Sequence, residues 1–393
     1  MTPRRRSLEP AATEAAATAV RAAVNGIFVT GGNGFLGSHA VHTLLTETDA
    51  PIFVLVRAAD REKAVARLWE GLHLHLDAEE FRTFLPRLVP VCGELTVPGL
   101  GLGRAARDRV LAEADSVLHV AASLNRKSER ACLNTNLRGS LSVIELAREL
   151  ADRGRLRRFT DVSTSAVAGV RRSEVVHEDT AIDWDRSDYD PYARTKKFAE
   201  HMARELLPAG AVLVVRPATV LGDSRRPECV ITDMVRAFVA LTDLRVAPLD
   251  ADARLDIVPG DWVGPAIARL HVHPKPRWDI YNLSAGARSA TGRSIAAAMA
   301  DAGHPVRFAR ALAPTFELAV RALDRLPRGP VQQGAAVLKV FWPYITYDTV
   351  FDNTRATTEL GSAPASFESY CARTYEYAKS VSMTNPAPPP VPR

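Results

Sequence analysis

The feature that most constrains this chain is a glycine triplet set between an apolar run and a helix-forming run. Residues 26–30 (GIFVT) read as a buried strand and residues 36–46 as a helix. Between them stand Gly31, Gly32, Asn33, Gly34, Phe35, Leu36 and Gly37. The spacing Gly31-x-x-Gly34-x-x-Gly37 puts glycine where the chain must turn sharply and where a diphosphate must approach the backbone. The third glycine lets the helix pack close to the strand. The helix that follows turns its free N–H groups toward the phosphates. A glycine trio alone is a weak signal. Here it follows a strand, opens a helix and lies inside a β-α-β unit, which is the confirming context.

Outward from this loop, apolar runs and helical periodicities alternate. Residues 52–56 (IFVLV), 88–92 (LVPVC), 116–120 (SVLHV), 158–162 and 211–216 read as further strands, and 61–85, 142–151 and 192–206 as helices. Such alternation predicts a parallel sheet covered on both faces, and right-handed crossovers make it a doubly wound α/β fold of Rossmann type. After about residue 222 the alternation weakens. Residues 311–347 carry Phe316, Leu323, Val337, Phe341, Trp342 and Tyr344, which predicts a smaller, mostly helical lobe, and 351–380 predict one or two closing helices. The expected division is a flexible segment over 1–24, with a short Ala-rich helix at 11–24, and a dinucleotide-binding domain over 25–285 that carries the catalytic residues. A substrate lobe over 286–382 and a disordered Pro-rich tail over 383–393 follow.

The position after the second strand chooses between dinucleotides. An acidic side chain there would bond the adenosine ribose of NAD. This chain has Arg57, followed by Arg61, Lys63 and Arg67. A guanidinium at that point suits a 2′-phosphate through charge-assisted paired hydrogen bonds, so NADPH is the expected cofactor.

A second signal is Tyr192-Ala193-Arg194-Thr195-Lys196. Positions i and i+4 share a helix face, and an ammonium beside a phenol favours the phenolate. Tyr192 is therefore placed to pass a proton to a developing alkoxide, with Lys196 beside it to hold the cofactor ribose. The segment Asp161-Val162-Ser163-Thr164-Ser165 ends the fifth strand, and strand ends of this kind face the ligand crevice. Thr164 is expected to bond the substrate oxygen next to Tyr192, while Ser163 and Ser165 read as turn residues. Asn136 either braces this region or caps a helix. The fourth strand runs into His119-Val120-Ala121-Ala122-Ser123, whose small residues leave room for ribose and pyrophosphate, with His119 packed in the sheet. The pairs His73/His75 and His271/His273 have no third ligand nearby in sequence and read as ordinary histidines, so no metal is expected.

Composition narrows the class. The net charge is +5, from 50 basic and 45 acidic residues, an excess that permits phosphate binding without pointing to nucleic acid. The 4 cysteines form no CxxC pair, so neither a disulfide framework nor a zinc site is indicated. No apolar run has bilayer-spanning length and the N-terminal stretch lacks the apolar core of a signal peptide, so a cytoplasmic location is expected.

Together, GGNGFLG, LVRAADREKAVARL, PVCGELTVPGLGL, HVAASLN, NTNLRGS, DVSTSAV, YARTK and VVRPATVLGDS resemble the extended short-chain dehydrogenase/reductase superfamily. Within it the chain resembles the thioester reductases: the reductase domains of carboxylic acid reductases and nonribosomal peptide synthetases, and the fatty acyl-CoA reductases. The resemblance covers roughly residues 26–285. It implies hydride transfer from NADPH to an acyl thioester carried on CoA or on an acyl or peptidyl carrier protein, giving an aldehyde and, after a second hydride, an alcohol. It implies Thr164, Tyr192 and Lys196 as the catalytic residues. It implies a cofactor site built from Gly31, Asn33, Gly34, Phe35, Leu36, Gly37, Arg57, Arg67, Ala122, Ser123, Lys196, Pro217 and Thr219. The chain departs from the family in Glu94, where Asp is usual, and in Ala168, where sugar-nucleotide relatives carry an aromatic ring. Two other readings share these residues: the same fold acting on a ketone or nucleotide sugar as reductase, epimerase or dehydratase, and a protein that senses NADP without chemistry.

Overall fold

The computed structural model describes residues 24–179, 181–228, 233–327, 329–382 and 387–392. Residues 11–23 of the expected N-terminal helix lie outside them. Seven parallel strands form the central sheet. They are β1 (Ile27–Thr30), β2 (Ile52–Val56), β3 (Leu88–Cys92), β4 (Ser116–His119), β5 (Arg158–Val162), β6 (Val212–Pro217) and β7 (Ile280–Leu283). Their order is β3-β2-β1-β4-β5-β6-β7. The direction of winding reverses between β1 and β4, so a crevice opens beyond the carboxyl ends of those two strands.

The period-two alternation of the strands divides the core. Ile27, Val29, Ile52, Val54 and Val56 face one side, where they pack on α1 (Phe35–Glu47), α2 (Arg61–Leu72) and a later helix over Gly260–Val272. Phe28, Phe53, Leu55 and Val117 face the other, against α3 (Arg104–Glu113), α4 (Ser140–Asp152) and α5 (Pro191–Leu206). The strands thus bury both faces, which accounts for their unbroken apolar runs. A second core gathers α6 (Asp233–Asp243), the segment through Leu249, Leu255 and Ile257, and elements beyond Ala290. Numbering the Gly260–Val272 helix as α7, those elements are α8 (Gly292–Asp301), α9 (Ala313–Leu323), α10 (Pro330–Thr346) and α11 (Cys371–Ser380).

Three local outcomes differ from the sequence reading. The helix expected over 61–85 is two helices, because Asp77 accepts from Glu79 N and Glu80 N while Glu80 reaches back to Asp77 N, a capping box that starts a fresh helix at Ala78. The seventh strand was not expected. The Pro-rich tail is tied to the domain by a 2.8 Å hydrogen bond from Trp69 Nε1 to Pro389 O. No helix among the described residues is long and apolar enough to cross a membrane.

Candidate active site

The turn after β1 can be built only with glycine at two points. Gly31 sits at φ 72°, and a Cβ there would lie 2.7 Å from Ala121 N. A Cβ on Gly37 would overlap the Gly31 carbonyl. Helix α1 then begins with Gly34 as its N-cap and no side-chain cap. Its first-turn N–H groups have no intrahelical partner, and Gly34, Phe35, Leu36 and Gly37 line a cavity of about 580 Å³. An uncapped helix start over an open cradle fits the diphosphate of a dinucleotide.

The same cavity brings together most of the residues singled out from the sequence. Gly31, Asn33, Arg57, Arg67, Ala122, Thr164, Tyr192, Pro217 and Thr219 all line it. Arg57, Lys63 and Arg67 also surround an adjoining depression at the end of β2. Glu94 faces them there, with its Oε2 3.6 Å from Arg57 Nε.

Thr164 and Tyr192 both line this cavity, each set by a short structural device. Thr164 ends the loop after β5 and caps a 3-10 turn over Ser165–Ala168, accepting a hydrogen bond from Ala166 N at 3.3 Å. With its oxygen so engaged, its hydroxyl proton is the part left to donate. Tyr192 stands at the start of α5, whose N-cap Asp190 accepts from Ala193 N at 2.8 Å and whose first position is Pro191. Both side chains are nearly buried, each at 8% exposure, so a proton moved there is shielded from bulk water.

Lys196 and Ser123 are not among the residues that line the cavity. The Lys196 ammonium is 1% exposed and donates to Asp161 Oδ1 at 2.9 Å. Ser123 N donates to Asn136 Oδ1 at 2.6 Å, and Asn136 Nδ2 donates to Ser123 O at 3.1 Å and Thr195 Oγ1 at 3.2 Å. Asn136 sits inside a π-helical stretch, Leu133–Gly139, so it braces the Ser123 loop against α5 and does not cap a helix. Ser163 is more than a turn residue: its Oγ donates to Glu200 Oε2 at 3.0 Å, and Glu200 also pairs with buried Arg216. His119 lies in the sheet, sharing hydrogen bonds with Thr30 Oγ1 at 2.7 Å and Ser140 Oγ at 2.8 Å. Burial, with the Lys196 ammonium adding to it, pushes its ring down to about 3.

Arg126 is a cavity residue that the sequence did not disclose. It lines the cavity, with its guanidinium carbon 4.3 Å from the Tyr192 ring centre and 4.9 Å from that of Tyr344. It donates to Asp190 Oδ2 at 2.8 Å and to Tyr344 Oη at 2.7 Å. Burial opposes its charge, but Tyr344, Asp190 and Tyr192 outweigh that and push its pKa above the ordinary arginine value. Through Tyr344 and Phe341, α10 thus packs on the guanidinium that faces the Tyr192 ring. Nothing at Leu124-Asn125-Arg126 marks this, since its partners are 64 and 218 residues away.

Residues 29–267 match the NAD-binding family described as Male sterility protein. Over 246 residues the chain is 31% identical to a linear gramicidin synthase polypeptide of Brevibacillus parabrevis, spanning 62% of this chain and 5% of that protein. Over 257 residues it is 29% identical to an aldehyde reductase of Aspergillus flavus, spanning 63% of this chain and 24% of that protein. The chain therefore covers well under two thirds of either relative's length. The crystal structure of the terminal R domain from the myxalamid PKS-NRPS biosynthetic pathway superposes with a TM-score of 0.77 at 25% identity, covering 92% of each chain. With its glycine cradle and seven-stranded parallel sheet, the chain belongs to the NAD-binding Male sterility protein family, as an NAD(P)-binding, thioester-reductase-like oxidoreductase of the extended short-chain dehydrogenase/reductase type.

Proposed function

We propose that the chain reduces an acyl thioester, presented on CoA or on a carrier protein, to an aldehyde with NADPH. The carrying observation is that the glycine cradle, the Arg57/Arg67 pair, Thr164 and Tyr192 all open into one cavity. Gly31, Gly34 and the start of α1 would hold the diphosphate, Arg57 and Arg67 a 2′-phosphate, and Ala122, Pro217 and Thr219 the ribose and nicotinamide. When bound, the dinucleotide supplies the hydride. Thr164 donates its free hydroxyl proton to the thioester carbonyl oxygen. Tyr192 donates to the same oxygen and transfers its proton as negative charge develops there. Two fixed donors aimed at one oxygen stabilise the transition state more than the substrate. Lys196, one helical turn on from Tyr192 and held by Asp161, contributes positive charge to this region, and Arg126 fixes the ring from its face. The hemithioacetal so formed gives up its hydroxyl proton as its C–S bond breaks, the departing sulfur takes a proton, and aldehyde and free thiol leave through the cavity mouth; a second hydride and proton on the aldehyde give an alcohol.

The test is purified protein with NADPH, a panel of acyl-CoA thioesters and a panel of ketones, followed by loss of nicotinamide absorbance. Turnover confined to thioesters supports the proposal. Turnover of ketones with none of any thioester overturns it.

A further inference from the structure

Strand β5 buries a carboxylate three residues before Thr164. Asp161 and Lys196 are each 1% exposed, and Lys196 Nζ donates to Asp161 Oδ1 at 2.9 Å. Asp161 Oδ2 is buried and has no hydrogen-bond partner among the described residues. Lys196 is the ion-pair partner of this carboxylate. Taking both charges out of water costs about as much free energy as their attraction returns, and an apolar pair of similar volume would hold β5 to α5 as well. Packing therefore does not explain why charge is kept here, whereas an ionisable pair beside a reactive group points to control of that group.

Tyr192 lies one helical turn before Lys196 on α5, so the two side chains share a face. A second cation faces the phenol, the Arg126 guanidinium at 4.3 Å from the ring centre. It too has its own carboxylate, Asp190, whose Oδ2 accepts from Arg126 at 2.8 Å and from Tyr344 Oη at 3.0 Å. Burial, with Lys196 adding to it, keeps the His119 ring on β4 uncharged. Glu200, one turn beyond Lys196, is paired with Arg216 of β6. Each cation beside Tyr192 is thus matched by one carboxylate. Unmatched, such cations favour the phenolate, which has no proton to give.

We infer that Asp161 is a positioning residue for the proton donor: its carboxylate fixes the Lys196 ammonium and offsets its charge, so that Tyr192 enters each cycle carrying its proton. The inference rests on the proposed proton transfer from Tyr192 and adds the residue that regulates it. Removing a full charge a few ångströms from the ammonium changes the ratio of phenolate to phenol at fixed pH by about 10-fold.

The experiment uses the full chain with NADPH, with tyrosine isotope-labelled at Cζ, and follows phenolate formation by NMR as pH is raised. The Tyr192 signal is identified by its loss in Tyr192→Phe. Asp161→Asn and Asp161→Ser both remove the charge and leave an oxygen to accept from the ammonium, so one folded variant suffices, and melting temperatures record which fold. In either variant the phenolate-to-phenol ratio at Tyr192 is expected to be about 10-fold higher than in wild type at the same alkaline pH. The kcat for thioester reduction, relative to wild type, is expected to fall as pH rises, to a limit of about 10-fold. Asp161→Glu keeps the charge and is expected to keep the wild-type titration. An unmoved Tyr192 titration in the uncharged variants, with activity lowered equally at every pH, assigns Asp161 to packing and overturns the inference. A moved titration in a protein that reduces no thioester upholds the role of Asp161 and overturns the proposed reaction.

Discussion

Replacing Arg57 with alanine is expected to remove the preference for NADPH while leaving NADH use intact. The Arg57 side chain is 74% exposed at the end of β2, and Glu94 Oε2 lies 3.6 Å from its Nε, too far for a hydrogen bond. It is therefore hydrated and available before the cofactor binds. Hydrogen bonds to a charged group contribute about 1.5–3 kcal/mol, and solvent screening at an exposed site places this one near the low end. A loss of about 1.5 kcal/mol is about 10-fold in kcat/KM for NADPH. Arg67 lines the same depression, so the two effects are coupled and the double alanine variant is expected to lose about 30–100-fold, short of or near the simple product. Glu94→Gln removes the competing carboxylate and is expected to raise NADPH affinity. Selectivity should also fall as ionic strength rises. The assay is kcat/KM for NADPH and NADH measured side by side at two salt concentrations. An Arg57→Ala variant that loses equally with both cofactors, or with neither, refutes the assignment of a 2′-phosphate to this corner.

Further outcomes follow from the site and its supports. Tyr192→Phe is expected to bind NADPH normally but to lose about 10²–10⁴-fold in kcat, the usual contribution of a positioned proton donor; Thr164→Val is expected to lose about 10²–10³-fold. Arg126→Met leaves the Asp190 carboxylate and the Tyr344 hydroxyl in a largely apolar setting, at a cost of about 3 kcal/mol. At about 2.1 cal/mol/K per residue, that lowers the melting temperature of this 393-residue chain by about 4 °C by scanning calorimetry. Burial pushes the Glu178 carboxyl from its ordinary 4.5 up to about 7. Glu178 is then protonated when folded and ionised when unfolded, so its contribution to stability is complete below pH 4.5 and is lost as pH rises to 7, at about 1.4 kcal/mol per unit. Glu178→Gln should gain on wild type across that window in melting-temperature scans. Burial holds His39 down from 6.5 to about 4, which gives the opposite slope: its contribution is complete above pH 6.5 and is lost on acidification to about 4, and His39→Gln should gain on wild type as pH falls.

How much was legible in the sequence depended on how far each signal reached along the chain. Strands β2, β3 and β5 appear with the bounds read from their apolar runs, because a strand buried on both faces leaves a local trace. Strand β7 left none: four residues, with Asn282 in the middle, draw their order from pairing with β6. The split of the 61–85 helix was present in Asp77 and Glu80 but was masked by continuous helical periodicity on either side. For the site, Gly31, Gly34, Gly37, Thr164 and Tyr192 could be placed because each belongs to a short motif joined to a strand end or a helix start. Lys196 shows where that reasoning stops. The i, i+4 rule put it on the face of Tyr192, but a neighbouring strand supplies Asp161, and the ammonium turns to that carboxylate. Arg126 was invisible because its role exists only once Asp190 and Tyr344 have been folded against it.

In the proposed reaction Thr164 and Tyr192 hold the thioester carbonyl oxygen while its carbon receives a hydride. The most direct measurement is to supply NADPH carrying deuterium at both C4 positions, with an acyl thioester, and to read the product by mass spectrometry. One deuterium on the former carbonyl carbon of the aldehyde is expected with wild type, and no labelled aldehyde with Tyr192→Phe over the same period. Labelled aldehyde formed equally well by the phenylalanine variant, or none from any thioester while the labelled cofactor is bound, would contradict it.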